Sequence, residues 1–113
     1  MAGLDKENAV DLIATDKDGK VLLVIVEDRP WGAEDRQPLQ LRAKLNSYAS
    51  YAVDRAFEKL YPETSGRSVV IQLHCAERPT GEIMDILTHA RGQFAKLDIG
   101  FEVRVRRDLR RPE

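Results

Sequence analysis

The sequence predicts an α/β (α+β) two-layer sandwich in the order β-β-α-β-α-β, a four-stranded mixed sheet with two helices on one face. Three observations predict it. An Asp18-Gly19 pair lies between two apolar segments, a strong hairpin signal because glycine accepts positive φ without steric cost. Two later segments, Ser68–Ala76 and Ile99–Arg106, alternate apolar and polar residues with the period of a half-buried strand. Each follows a long stretch whose apolar residues recur every three or four positions, the spacing of an amphipathic helix.

The elements follow in order. Residues 1–8 are polar and read as a flexible start, as residues 108–113 read as a flexible end, of a single domain spanning 1–113. Ala9–Thr15 is the first strand, and the Asp18-Gly19 turn returns the chain antiparallel into Val21–Val26. That second strand is apolar without alternation, which marks a central strand covered on both faces. After a loop with Pro30 and Gly32, a long helix is expected over about Arg36–Tyr61, with Pro38 in its first turn, where a missing N–H costs nothing. Leu41, Leu45, Tyr48, Ala52, Ala56 and Leu60 form its apolar stripe, widened by Ala49, Val53 and Phe57, and Pro62 ends it.

In the third strand Val69, Ile71, Leu73 and Cys75 point one way, and Val70, Gln72, His74 and Ala76 the other. Thr80 is placed to cap a second helix, in which Ile83, Ile86, Leu87, Ala90, Phe94 and Leu97 are buried. In the last strand Ile99, Phe101, Val103 and Val105 alternate with Gly100, Glu102, Arg104 and Arg106. Two successive β-α-β steps running in one direction put both helices on one face, which explains why the third and fourth strands keep polar residues on the other.

Composition excludes several classes. The 18 Lys/Arg against 19 Asp/Glu leave a net charge of −1, so no global field draws polyanions. The arginines of Arg104–Arg111 are offset by Asp98, Glu102, Asp108 and Glu113, and no stacking aromatics accompany them, which argues against nucleic acid. No apolar run approaches a membrane span, and the start lacks the apolar core of a signal peptide. A lone cysteine fits a reducing compartment, so a cytoplasmic protein is expected. No phosphate-binding glycine loop and no nucleophile elbow occurs. His74, His89 and Cys75 lack the close spacing of a metal site, so neither metal nor cofactor is expected. Asp11 and Glu27, on neighbouring strands, lack the nearby lysine of a nuclease core, having Arg29 instead.

Two candidate surfaces remain. The first is the loop Glu27-Asp28-Arg29-Pro30-Trp31 at the carboxyl end of a central strand, where open α/β sheets hold ligands; Glu77, Arg78 and Arg106 follow neighbouring strands at the same edge. Carboxylates, guanidiniums and an indole there are a candidate ligand-binding set, or else Arg29 pairs with a neighbouring carboxylate and Trp31 closes the core. The second is the sheet face away from the helices, carrying Gln72, His74, Glu102 and Arg104 among apolar residues, with Asp11 joining in one register. A half-apolar sheet face is a natural dimer surface. His74 and Cys75 are adjacent in a strand, point to opposite faces, and cannot act as a base–nucleophile pair.

The segments Asp11-Leu12-Ile13, Val24-Ile25-Val26-Glu27-Asp28-Arg29-Pro30-Trp31, Leu39-Gln40-Leu41 and Lys44-Leu45-Asn46-Ser47-Tyr48 resemble a small bacterial domain family of unknown function, with an E-D-R-P-W loop and an L-Q-L-x-x-K-L-N-x-Y helix. The resemblance covers most of the chain, is specific over residues 11–48, and implies no activity, substrate or cofactor. It directs attention to the Glu27–Trp31 loop and to Asn46 and Tyr48. The expectation is a non-catalytic interaction module forming a homodimer through its open sheet face. The alternative is a binder or enzyme for a small anionic ligand at the Glu27–Trp31 edge.

Overall fold

A computed structural model describes residues 12–109, which form one sheet with its helices packed on one side. Strands β1 (Leu12–Thr15), β2 (Val21–Glu27), β3 (Val69–Cys75) and β4 (Gly100–Val105) lie in sequence order across it. The β1–β2 pair is antiparallel; β2–β3 and β3–β4 are parallel. The Asp16–Lys20 turn is set by Gly19 at φ +83° and by the Asp16 carboxylate, whose Oδ1 accepts the N–H groups of Asp18 and Lys20. Ala9–Asp11 of the expected first strand, the expected flexible start and Arg110–Glu113 lie outside the described residues, so the placement of Asp11 does too. Leu109 and Asp108 belong to a short 3-10 turn, Arg107–Leu109.

The register decides which side chains share a face. Val21, Leu23 and Ile25 of β2 and Val69, Ile71, Leu73 and Cys75 of β3 turn towards the helices and join Phe101 in the core. Helix α1 (Gln37–Asp54) contributes Leu41, Leu45, Tyr48 and Ala52; helix α3 (Gly81–Lys96) contributes Ile83, Ile86, Leu87, Ala90 and Phe94. Phe94 meets Phe101 edge-on at 5.4 Å. Thr80 is the N-cap of α3 by position and extended backbone, although its side chain makes no capping hydrogen bond.

The long helix expected to reach Tyr61 is corrected here. It stops at Asp54, Arg55 turns left-handed at φ +53°, and a single-turn helix α2 (Phe57–Leu60) follows in a new direction. A non-glycine residue in that conformation costs about 1–2 kcal/mol. Its side chain supplies the compensation: Nη2 donates to the carbonyls of Arg67 (2.9 Å) and Thr64 (3.3 Å), and Nε pairs with Glu58 at 3.0 Å. The break re-aims the stripe, burying Phe57 while Val53 and Leu60, expected on the buried side, stay exposed. Leu97 and Val105, also expected inward, are about half exposed at the rim. Among the described residues, no helix is long and apolar enough to cross a membrane.

Candidate functional site

Because β2, β3 and β4 run parallel, their carboxyl ends share one edge of the sheet. Glu27 closes β2 there, opposite Cys75, on the face turned towards α1. A carboxylate buried to 2% exposure needs donors, and the loop folds back to supply them. Arg29 donates its backbone N–H (3.0 Å) and Nε (3.0 Å) to Glu27 Oε1 and Nη2 (2.8 Å) to Oε2. Gln37, in the first turn of α1, adds Nε2–H to Oε2 at 3.1 Å and accepts the Gly32 N–H on its Oε1 at 2.7 Å. Arg29 also reaches Gln40 Oε1 (2.9 Å) and Glu34 (3.2 Å). The Glu27 hydrogen bond, with the nearby carboxylates, holds the Arg29 guanidinium above its ordinary pKa against the opposing effect of burial.

Trp31 packs against the rim of the core and donates Nε1–H to the carbonyl of Glu77 at 2.8 Å, tying this loop to the one after β3. Asp28 is partly buried beside them. Glu27 and Arg29 are therefore bonded to each other, and Trp31 joins the backbone of Glu77 at the same edge. The other two basic residues lie elsewhere: Arg78 lines a groove between α3 and β4, and Arg106 sits over the opposite face of the sheet against His74. The cleft that does adjoin Trp31, about 390 Å³, is lined by Glu34, Asp35 and Glu82, a charge that does not suit an anion.

On the face away from the helices, the expected polar residues form a chain. Arg104 and Gln72 donate to Glu102 Oε1 (3.3 and 2.7 Å), His74 Nε2 meets Gln72 Oε1 (3.0 Å), and Arg106 Nη1 meets His74 Nδ1 (3.1 Å). An acceptor on one side and a donor on the other match the neutral imidazole with its proton on Nε2. Burial first, then Arg106 and Arg104, push the His74 pKa below its ordinary value. Arg106 is held in turn by a bidentate pair with Asp108 (3.2 and 2.6 Å). Of the apolar residues on this face, Val24 is buried, Leu22, Val26 and Val70 are half-buried, and Leu12 is exposed.

Gln37 and Gln40, which complete the Glu27 network, were missed by sequence reasoning. Their signal is positional. Gln37, Gln40 and Lys44 stand where the stripe through Leu41, Leu45 and Tyr48 calls for apolar side chains, and all three are buried. Polar residues in core phase at one end of a helix mark a polar partner beneath, here Glu27. Of the residues marked by the resemblance, Asn46 is exposed in the α1–α3 groove, whereas Tyr48 is buried and donates its hydroxyl to the Val24 carbonyl at 2.7 Å. Cys75 is buried, its thiol pushed up to about 11 by burial and then by Glu27, which makes it a poor nucleophile. Among the described residues no three His, Cys, Asp or Glu side chains gather to hold a metal ion.

Fold and site together define a small α+β protein, a mixed sheet backed by helices, whose polar edge is organised as an internal hydrogen-bonded network. The chain belongs to a family described as a family of unknown function (DUF6572), whose model matches residues 2–107. No curated protein and no solved structure matches it.

Proposed function

We propose that this chain is a non-catalytic interaction module that assembles as a homodimer and works by association rather than by chemistry. The observation that carries this reading is how the charged residues at the sheet edge are spent. Glu27 is 2% exposed and takes four hydrogen bonds from Arg29 and Gln37, so its carboxylate is committed to holding the loop. Poised acids and bases face a cleft; these are turned into the seam between β2 and α1. The single buried thiol suits a reducing compartment, in keeping with a cytoplasmic protein.

The test is solution mass by light scattering at low micromolar concentration. A mass near twice 12.8 kDa is expected. A monomer that persists to several hundred micromolar overturns the homodimer.

A further inference from the structure

We infer that a second copy of this chain docks on the free edge of β4, fusing two four-stranded sheets into one across a two-fold axis at Val103. This deepens the homodimer reading, rests on it, and moves the interface from the sheet face to the sheet edge. β4 is the last strand of the sheet. The Arg106 N–H is given to Cys75 O on β3 (2.8 Å), and backbone groups alternate in direction along a strand. Phe101, Val103 and Val105 therefore point their N–H and C=O groups outwards, and among the described residues no strand pairs with them. Such an edge is a template for another strand unless it is blunted. This one is six residues long and has neither proline nor bulge.

Charge selects the occupant and the register. Outward-pointing residues must meet outward-pointing residues if both chains are to satisfy their backbone groups. Antiparallel pairing centred on Glu102 sets that residue against the partner's Glu102, and pairing centred on Arg104 sets Arg104 against the partner's Arg104. Centring on Val103 instead places Glu102 opposite the partner's Arg104, twice by symmetry. These are non-hydrogen-bonded pairs, in which cross-strand side chains approach closest. Glu102 and Arg104 are 47% and 57% exposed, and their pairing at 3.3 Å within one chain is exchanged for two such pairs across the axis.

On the helix side the same register sets Phe101 opposite the partner's Val105 and Val103 opposite the partner's Val103, extending the core across the axis. Alongside runs the groove of about 240 Å³ between α3 and β4, floored by Leu87 and Val103. Its apolar walls include Met84 at 51% and Val105 at 46% exposure, and edge pairing draws both towards the axis and out of water.

The experiment combines light scattering with cross-linking of the full chain. Glu102→Cys and Arg104→Cys variants are oxidised separately and as a mixture; the native Cys75 is buried and contributes little background. The expected result is a disulfide dimer formed in the mixture and not by either variant alone. Independently, Glu102→Arg weakens the dimer about ten-fold or more by opposing like charges, and Glu102→Arg/Arg104→Glu restores it. Circular dichroism confirms that each variant is folded. A dimer whose mixture cross-links no faster than the single variants, and whose affinity ignores the charge series, overturns the β4 edge while leaving the homodimer standing. A monomeric wild type overturns both.

Discussion

Replacing Arg29 by alanine tests whether the Glu27 network holds the fold together. The substitution leaves the Glu27 carboxylate, 2% exposed, with the Arg29 backbone N–H and the Gln37 amide as its remaining donors. Removing one partner of a buried ion pair costs about 3–5 kcal/mol, because the other charge stays buried without compensation. The Arg29 side chain is itself 13% exposed, so water reaches the vacated space and the lower end applies, about 3 kcal/mol. For a chain of this size that is a fall in Tm of about 10–15 °C. The assay is urea unfolding followed by circular dichroism, in which the midpoint falls while the slope is unchanged. Glu27→Gln in the Arg29→Ala background removes the orphaned charge and recovers about 1–2 kcal/mol, a coupling that a double-mutant cycle isolates. A loss below about 1 kcal/mol for Arg29→Ala, or no recovery in the double variant, refutes the idea that the loop is held by this charge pair.

Three further outcomes follow from the structure. Because the folded state lowers the His74 pKa, the unfolded chain binds the extra proton first as pH falls. The stability His74 contributes is thus complete above the ordinary imidazole value, near 6.5, and is lost as pH drops through the folded one. His74→Gln flattens unfolding free energy between pH 7.5 and 5, with His89 left in place as the control; an unchanged slope contradicts the assignment. At Arg55, alanine keeps the left-handed strain and loses the hydrogen bonds to Thr64 and Arg67, whereas glycine loses the bonds but relieves the strain. Glycine is therefore the more stable of the two by about 1 kcal/mol in thermal melts, and the reverse order rejects the strain argument. Cys75, with its thiol raised to about 11, reacts slowly with a disulfide reagent at pH 8 in the native protein and rapidly in urea. A native burst of labelling shows that the site is not closed.

The strands were legible in the sequence because their signals are local. Asp18-Gly19 announces the hairpin, and the alternation of Val69, Ile71, Leu73 and Cys75 names the buried face before any partner strand is known. The helix break was not legible, since neither glycine nor proline stands at position 55 and the apolar spacing runs on to Leu60. What stops the helix is distant: carbonyls of Thr64 and Arg67 that come within reach of the Arg55 guanidinium only once the chain has turned.

The candidate site divides in the same way. Residue chemistry and strand order alone bring Glu27, Arg29 and Trp31 to the carboxyl edge of the sheet. Whether those residues face a ligand or each other depends on which way Glu27 points. The β2 register turns it inwards beneath Gln37 and Gln40, where an unpaired carboxylate is too costly to leave and Arg29 must follow it. Arg106 illustrates the converse, since it shares that edge in sequence but lies across the sheet from Glu27, over His74. The sequence by itself determined the order of the strands, the buried face of β3 and β4 and the residues near the sheet edge, because period and turn chemistry act over a few residues. Only the tertiary structure decided where α1 ends, what Glu27 is bonded to and which strand edge is left open, because those depend on groups brought together from distant parts of the chain.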